Sequence, residues 1–227
     1  CPDCKTALAE AEIEYAEDPC HSIYVKFKTV DDKGVFSKMG LDPDMVYFVI
    51  WTTTTWTLPG NVAICVGPRF DYSIIKHNDE YYVMAEELYK SAMEDAEVTD
   101  YEVVGKVKGS ELEYIKTAHP FIDRHSMVIV GDQVTFESGT GCVHTAPGHG
   151  VDDFNVCSNY PELPIIVPVD ADGRLTSEAG EFEGLLTADA NKPIAMHLKE
   201  TNALFAIKKI VHQYPHCWRC KKPILFH

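Results

Sequence analysis

No run of apolar residues in this sequence approaches the roughly 18 to 20 that a helix needs to span a bilayer. Its first ten residues, CPDCKTALAE, lack the basic-then-apolar form of a secretory signal. Both absences argue against a membrane or exported protein, so a reducing cytoplasmic setting is expected. Internal repeats, low-complexity linkers and the P-loop and dinucleotide fingerprints are missing as well. The chain has no initiator methionine and stops in the strand-like run PILFH, which leads us to expect a piece of a longer polypeptide. Basic residues are few, 20 against 35 acidic ones, and the net charge of −15 is unfavourable for binding phosphate backbones. Acidic residues in turn vanish after Glu200, where Lys208, Lys209, Arg219, Lys221 and Lys222 form a basic strip on an acidic body.

What is present fits one sizeable core: 227 residues, 45% of them apolar. Ile23, Val25 and Phe27 alternate with Tyr24, Lys26 and Lys28, the period of a half-buried strand. Further strands are predicted over 46–53, 62–66, 72–76, 81–84, 101–107, 127–130 and 165–169. Helices are predicted over 85–96 and 188–200, the second capped by Thr187, and a short third from Asp152 or Asp153. Many short strands broken by Gly, Pro and Asp turns imply a mixed, mainly β fold, barrel-like with peripheral helices.

Eight cysteines divide into two groups. Cys20, Cys65, Cys142 and Cys157 are isolated and read as small buried or half-buried residues. Cys1-Pro-Asp-Cys4 and Cys217-Trp-Arg-Cys220 are CxxC pairs at opposite ends of the chain. Together they offer the four soft ligands of a structural Zn2+ site. Neither pair opens a helix as a redox CxxC does, although free thiols or a redox pair remain the alternative. Zinc would clasp the termini into a small ribbon-like module of residues 1–20 and 205–227, leaving 21–204 as the main domain.

Two segments carry the chemistry. In WTTTTWTLPGN, Trp51 to Asn61, threonines follow a buried-strand pattern, and Thr57 and Asn61 flank a Pro59-Gly60 turn. Alone, Thr52 to Thr55 are an ordinary strand end with alternate hydroxyls facing water. In GTGCVHTAPGHGVDDF, glycines 139, 141, 148 and 150 permit close backbone approach and positive φ around His144 and Asp153. Taken singly, that histidine could be structural and that aspartate an N-cap.

Together the two segments resemble the signature motifs of the editing domain inserted in isoleucyl-tRNA synthetases, close to WTTTPWTLPAN and GTGxVHxAPGHGxDD. CPDCKTALAEAEIEY, EFEGLLTADANKPI and YPHCWRCKKPILF are similar to the same family, so the resemblance covers essentially the whole chain. Valyl and leucyl relatives typically carry TTRPxT in place of the Trp56-Thr57-Leu58-Pro59 pattern.

The resemblance implies hydrolysis of valine esterified to tRNA(Ile), and of valyl-adenylate, with isoleucine excluded. It implies that Asp153 binds the substrate ammonium and that His144 rejects isoleucine by bulk, in preference to acting as a base. Thr53, Thr54 and Thr57 would contact the amino acid, the ribose or the water, with Asn61 on the same wall. Trp51, Thr52, Trp56, Gly139, Thr140, Gly141 and His149 would complete the substrate surface. Zn2+ would be structural only, since hydrolysis needs no cofactor. The implied partners are the tRNA CCA end and the rest of the synthetase in cis, in a monomer without membrane contact. Thr55 replaces the family's usual proline, which predicts a looser strand end and a less fixed Thr54 than Thr57. Gly60 stands where Ala or Ser is frequent. The alternatives are a silent zinc-stabilised RNA-docking module and a valyl-tRNA synthetase domain acting on threonine.

Overall fold

The computed structural model describes residues 1–226; His227, the last residue of the expected second ribbon segment, lies outside the described residues. In chain order the elements begin with β1 (Ile13–Asp31), β2 (Val46–Thr52), β3 (Ala63–Val66), β4 (Asp71–His77) and β5 (Glu80–Ala85). They continue with α1 (Tyr89–Asp95), β6 (Glu102–Lys108), β7 (Lys116–Ala118), β8 (His125–Val130) and β9 (Cys142–Thr145). The last are α2 (Val151–Cys157), α3 (Thr187–Glu200) and β10 (Leu204–Cys217). Among the described residues no helix is long and apolar enough to cross a membrane.

The strands form one sheet in the order β10-β1-β7-β8-β3-β9-β2-β5-β4-β6. Because β1 also pairs antiparallel with β2, from Ile23↔Thr52 to Lys28↔Tyr47, the six strands from β1 round to β2 close on themselves. This is the expected mainly β, barrel-like fold with few helices. Closure removes strand edges, and β5-β4-β6 and β10 extend from the ring. The interior holds Ile23, Val25, Phe27, Phe48, Ile50, Leu58 and Ile64, with Ala190, Ile194 and Leu198 of α3 packed on the same core. Each fully buried aliphatic or aromatic side chain contributes about 1.5–3 kcal/mol.

Four local expectations change. Tyr24 and Lys26, predicted to face water, are buried, because α1, β5 and Phe205 cover that side of β1. The Lys26 ammonium is compensated by Glu80 at 2.8 Å and lies over the Tyr47 ring. Residues 165–169 form no strand beyond a Val169↔Leu175 bridge; Pro164 and Pro168 supply no N–H, and Ile165 is exposed. The helix predicted from residue 85 starts at Tyr89, since β5 continues to Ala85, whose N–H donates to the Thr140 carbonyl. Thr187 lies inside the first turn of α3, and its predecessor Leu186 occupies the cap without a side-chain bond.

β1 runs unbroken through residue 20, paired with β10 from Ile13↔Cys217 to Val25↔Leu204. This long ribbon brings the two chain ends together.

Candidate functional site

The threonine run changes conformation halfway. β2 ends at Thr52, and Thr55–Gly60 form a buried 3-10 turn. The Thr52 hydroxyl accepts from Thr54 N–H at 3.0 Å. The Thr54 carbonyl accepts from Thr57 N–H at 3.2 Å and from the Thr57 hydroxyl at 2.7 Å. Side chains from elsewhere grip the turn. His119 Nε2–H donates to the Leu58 carbonyl at 2.8 Å, Arg124 donates to the Pro59 carbonyl, and Asn191 Oδ1 of α3 accepts from Trp56 N–H at 3.0 Å. His119 Nδ1 accepts from Ile122 N–H, and burial lowers its pKa to about 3, so the ring is neutral. Thr54, expected to be less fixed because of Thr55, is hydrogen-bonded at both its N–H and its carbonyl.

β9 sets Ile64 opposite His144, next to this turn. Asn61 Nδ2 donates to the Ala63 carbonyl at 2.9 Å and to His144 Nδ1 at 2.8 Å, while Ser126 donates to Asn61 Oδ1 at 2.6 Å. Only the amide nitrogen can face a carbonyl, so His144 Nδ1 must be the acceptor and Nε2 must carry the proton. Nε2–H then donates to the Thr57 hydroxyl at 3.0 Å. Burial, reinforced by His149, lowers the His144 pKa to about 3. With its one lone pair engaged by Asn61, this histidine is a poor general base and a firmly placed wall.

Asp153 sits in the first turn of α2, where Ala146 N–H donates to its Oδ2 at 2.8 Å. Burial raises its pKa, opposed by that bond. An ionised carboxylate offers about four acceptor positions, so capacity for a cation remains. His149 packs edge-on to Trp56 at 5.0 Å. A Cβ at Gly60 would lie 3.0 Å from the His149 ring, so glycine permits this close approach.

Thr52, Thr54, Trp56, Thr57, His144, His149 and Asp153 line one cavity of about 290 Å³. Asn61 stands behind it as the buried support of His144. Thr53 points elsewhere, into an adjoining cavity of about 450 Å³ that also touches Thr54 and Trp56. Trp51, Gly139, Thr140 and Gly141 are outside both cavities. Gly139 packs on the Trp51 ring, and Thr140 holds Ala85 through its carbonyl. Gly141, at φ +75, accepts from Tyr72 and comes so close to β5 that a Cβ would lie 2.4 Å from that of Ala85.

Sequence reasoning missed His212, Gln213 and Tyr214 of β10, which close the cavity from the other end of the chain. It also missed Ser126, His119, Arg124 and Asn191, which act on the site through other residues. No local pattern marks any of them, since the barrel register alone brings them there.

At the far end of the ribbon, the sulfurs of Cys1, Cys4, Cys217 and Cys220 all lie within 4.8 Å of one another. Cys1 and Cys220 are 3.5 Å apart, and Cys4 and Cys217 are 4.0 Å apart. Zn–S bonds of about 2.3 Å in a tetrahedron require sulfurs about 3.8 Å apart, so the donor set fits a tetrahedral soft-metal site. The other four cysteines are free and buried or half-buried, as expected. Three cations of the basic strip are neutralised, Lys208 by Asp95, Lys221 by Glu14 and Lys222 by Asp3.

No protein-family model matches the chain. The structure resembles that of GlLeuRS-CP1, with a TM-score of 0.64 at 16% identity, covering 81% of this chain and 97% of that one. It also resembles the P. knowlesi cytosolic leucyl-tRNA synthetase editing domain, with a TM-score of 0.60 at 10% identity, covering 87% and 97%. At these identities the likeness concerns the fold. In sequence, the chain is 55% identical over 226 residues to an isoleucine--tRNA ligase of Caldicellulosiruptor saccharolyticus. It is 52% identical to that of Caldanaerobacter subterraneus and 47% to that of Petrotoga mobilis. Each match covers 100% of this chain but only 23–24% of the relative, so the chain spans about a quarter of their length. With half its residues identical from end to end, the chain belongs to the isoleucine--tRNA ligase family.

Proposed function

We propose that this domain hydrolyses valine from mischarged tRNA(Ile), and valyl-adenylate, while excluding isoleucine. The observation that carries this reading is the convergence of Asp153, His144 and the Thr52-Thr54-Thr57 wall on one cavity. Isoleucine and valine differ by one methylene, and this pair is the standard illustration that such a difference gives only about 1–3 kcal/mol of discrimination. A second site that admits valine and hydrolyses its ester supplies the rest.

Asp153 pairs with the α-ammonium of the substrate, and that cation offsets the cost of the half-buried carboxylate. The His144 ring, held at both nitrogens, would meet the substrate side chain and reject the extra methylene by bulk. Thr52 accepts from Thr54 N–H and keeps its own O–H to donate, so the wall can orient a water against the ester carbonyl. Attack by that water forms the acid C–O bond and breaks the ester bond of the tRNA, one water proton passing to the departing ribose oxygen, or breaks the acyl-phosphate anhydride of the adenylate, from which AMP leaves as the anion and the proton goes to solvent. Positioning and neutral hydrogen-bond donors carry the step, with no covalent intermediate. The adjoining cavity, with Thr53, is the place for the terminal adenosine of the CCA end.

The four cysteines would hold a structural Zn2+, locking residues 1–20 and 205–226 into a ribbon that joins the barrel to the rest of the synthetase. The pairing of Lys208, Lys221 and Lys222 with acids speaks against the silent RNA-docking alternative. The test is deacylation of valyl-tRNA(Ile) and isoleucyl-tRNA(Ile) side by side. Preferential loss of valine, abolished by Asp153→Ala, supports the reading; failure to hydrolyse either ester, or a preference for a threonyl ester, rejects it.

A further inference from the structure

Ser126 was not marked by any motif, yet it is fully buried at the head of a chain of directed hydrogen bonds that ends in the cavity. Its hydroxyl donates to Asn61 Oδ1 at 2.6 Å, and Asn61 Nδ2 donates to His144 Nδ1 at 2.8 Å. Next, His144 Nε2–H faces the Thr57 hydroxyl at 3.0 Å, and that hydroxyl donates to the Thr54 carbonyl at 2.7 Å. Every link has one sense. The Ala63 carbonyl forces Asn61 to present nitrogen on that side, and Ser126 rewards the oxygen on the other. The backbone of Ser126 is itself fixed, since its carbonyl accepts from Thr117 at 3.0 Å. We infer that Ser126 and Asn61 are positioning residues that act through His144, holding its ring as the Nε2–H tautomer so that it discriminates by shape and never removes a proton.

The inference deepens the editing reading. A histidine free to rotate or to change tautomer would yield to isoleucine, and would break the bond that orients Thr57. An apolar wall could block isoleucine equally well, but it could not hold the Thr57 hydroxyl. One ring thus serves both the size limit and the polar wall.

Three variants separate this role from simple packing. In Asn61→Asp the new carboxylate is an acceptor facing Nδ1, so the ring must carry a proton there. Ser126→Ala removes one donor and little volume, and Ser126→Thr restores a hydroxyl. Nuclear magnetic resonance of protein containing isotope-labelled histidine reads the tautomer directly, with the signal assigned by its absence in His144→Gln. At neutral pH the native protein is expected to show a neutral Nε2–H ring with Nδ1 as acceptor, and Asn61→Asp an Nδ1-protonated one. An Nδ1–H or doubly protonated ring in the native protein, or an unchanged ring in Asn61→Asp, overturns the inference. In parallel, Ser126→Ala is expected to raise isoleucyl-tRNA deacylation relative to valyl-tRNA on the order of tenfold, and Ser126→Thr to reverse part of that rise. An unchanged ratio in Ser126→Ala refutes the positioning role. Should the native protein hydrolyse neither ester, the editing reading fails, whereas the ring signature still decides the tautomer.

Discussion

The cavity wall and the cysteine cluster both join residues distant in sequence, but they are held by opposite means. Behind the cavity wall Asn61, Ser126 and His119 are neutral and buried, and with the half-buried His144 each meets a partner of fixed sense. Around the cluster the contacts are surface ion pairs, such as Lys221 with Glu14 and Lys5 with Asp172, each with side chains more than half exposed. Directed bonds in a low-dielectric interior specify geometry, whereas exposed pairs typically contribute about 0–1 kcal/mol and weaken with salt. The cavity is therefore built by the fold itself, while at the chain ends the β1–β10 ladder brings together four thiols that a metal could bind.

Breaking the cluster should give the largest effect. Zinc in isolated finger peptides contributes about 10–16 kcal/mol of apparent folding free energy. Cys217→Ser, or a strong chelator, should accordingly abolish amide exchange protection in the β1–β10 ribbon near the termini while the barrel core stays protected. Unchanged protection would mean that the ribbon needs no metal.

Breaking the cavity should leave the fold intact and remove its chemistry. Asp153→Ala deletes a charge-assisted contact, so valyl-tRNA deacylation should fall about 100-fold with circular dichroism unchanged. His144→Ala should shift selectivity instead, raising isoleucyl-tRNA deacylation about 10- to 100-fold relative to the native domain. Equal loss on both esters would assign His144 to the hydrolytic step.

Acid should act on the cavity before it acts on the barrel core. Burial pushes the His119 and His144 pKa values down from the ordinary 6.5 to about 3 in the folded protein. Between those values the unfolded state binds more protons, so their contribution is present above about pH 6.5 and is lost as pH falls towards 3. Asp153 runs the other way, because burial raises its folded pKa, so its contribution is lost as pH rises through that raised value. Asp153→Asn should thus increase stability at neutral pH and steepen the acid loss, as read from Tm against pH. The smallest effect belongs to the surface pairs. Lys221→Ala should change stability by about 0.5 kcal/mol or less in chemical denaturation.

Much of this was legible beforehand. Most strands lie within a few residues of their expected places, because alternation and turn residues act locally. The strands β7, β9 and β10 were not foreseen, and of the expectations that changed two show the cause plainly, one local and one tertiary. Pro164 and Pro168 deny residues 165–169 a ladder, and Ala85 is drawn into β5 by the Thr140 carbonyl. At the site, the sequence singled out His144, Asp153, Thr57 and Asn61 through their motifs. That Thr53 turns away from Thr52 and Thr54 follows from strand alternation; the family resemblance had instead grouped Thr53 with Thr54 and Thr57.

By itself the sequence determined a mainly β domain, two polar segments whose meeting only the family resemblance implied, and two cysteine pairs of metal-ligand spacing. Those features reside in residue type and short spacing, which the chain carries wherever it folds. Only the tertiary structure decided that Lys26 is buried against Glu80, that Tyr214 closes the cavity, and that Ser126 reaches His144 through Asn61. Each depends on register across the closed barrel, where one residue of slip would turn every side chain to the opposite face.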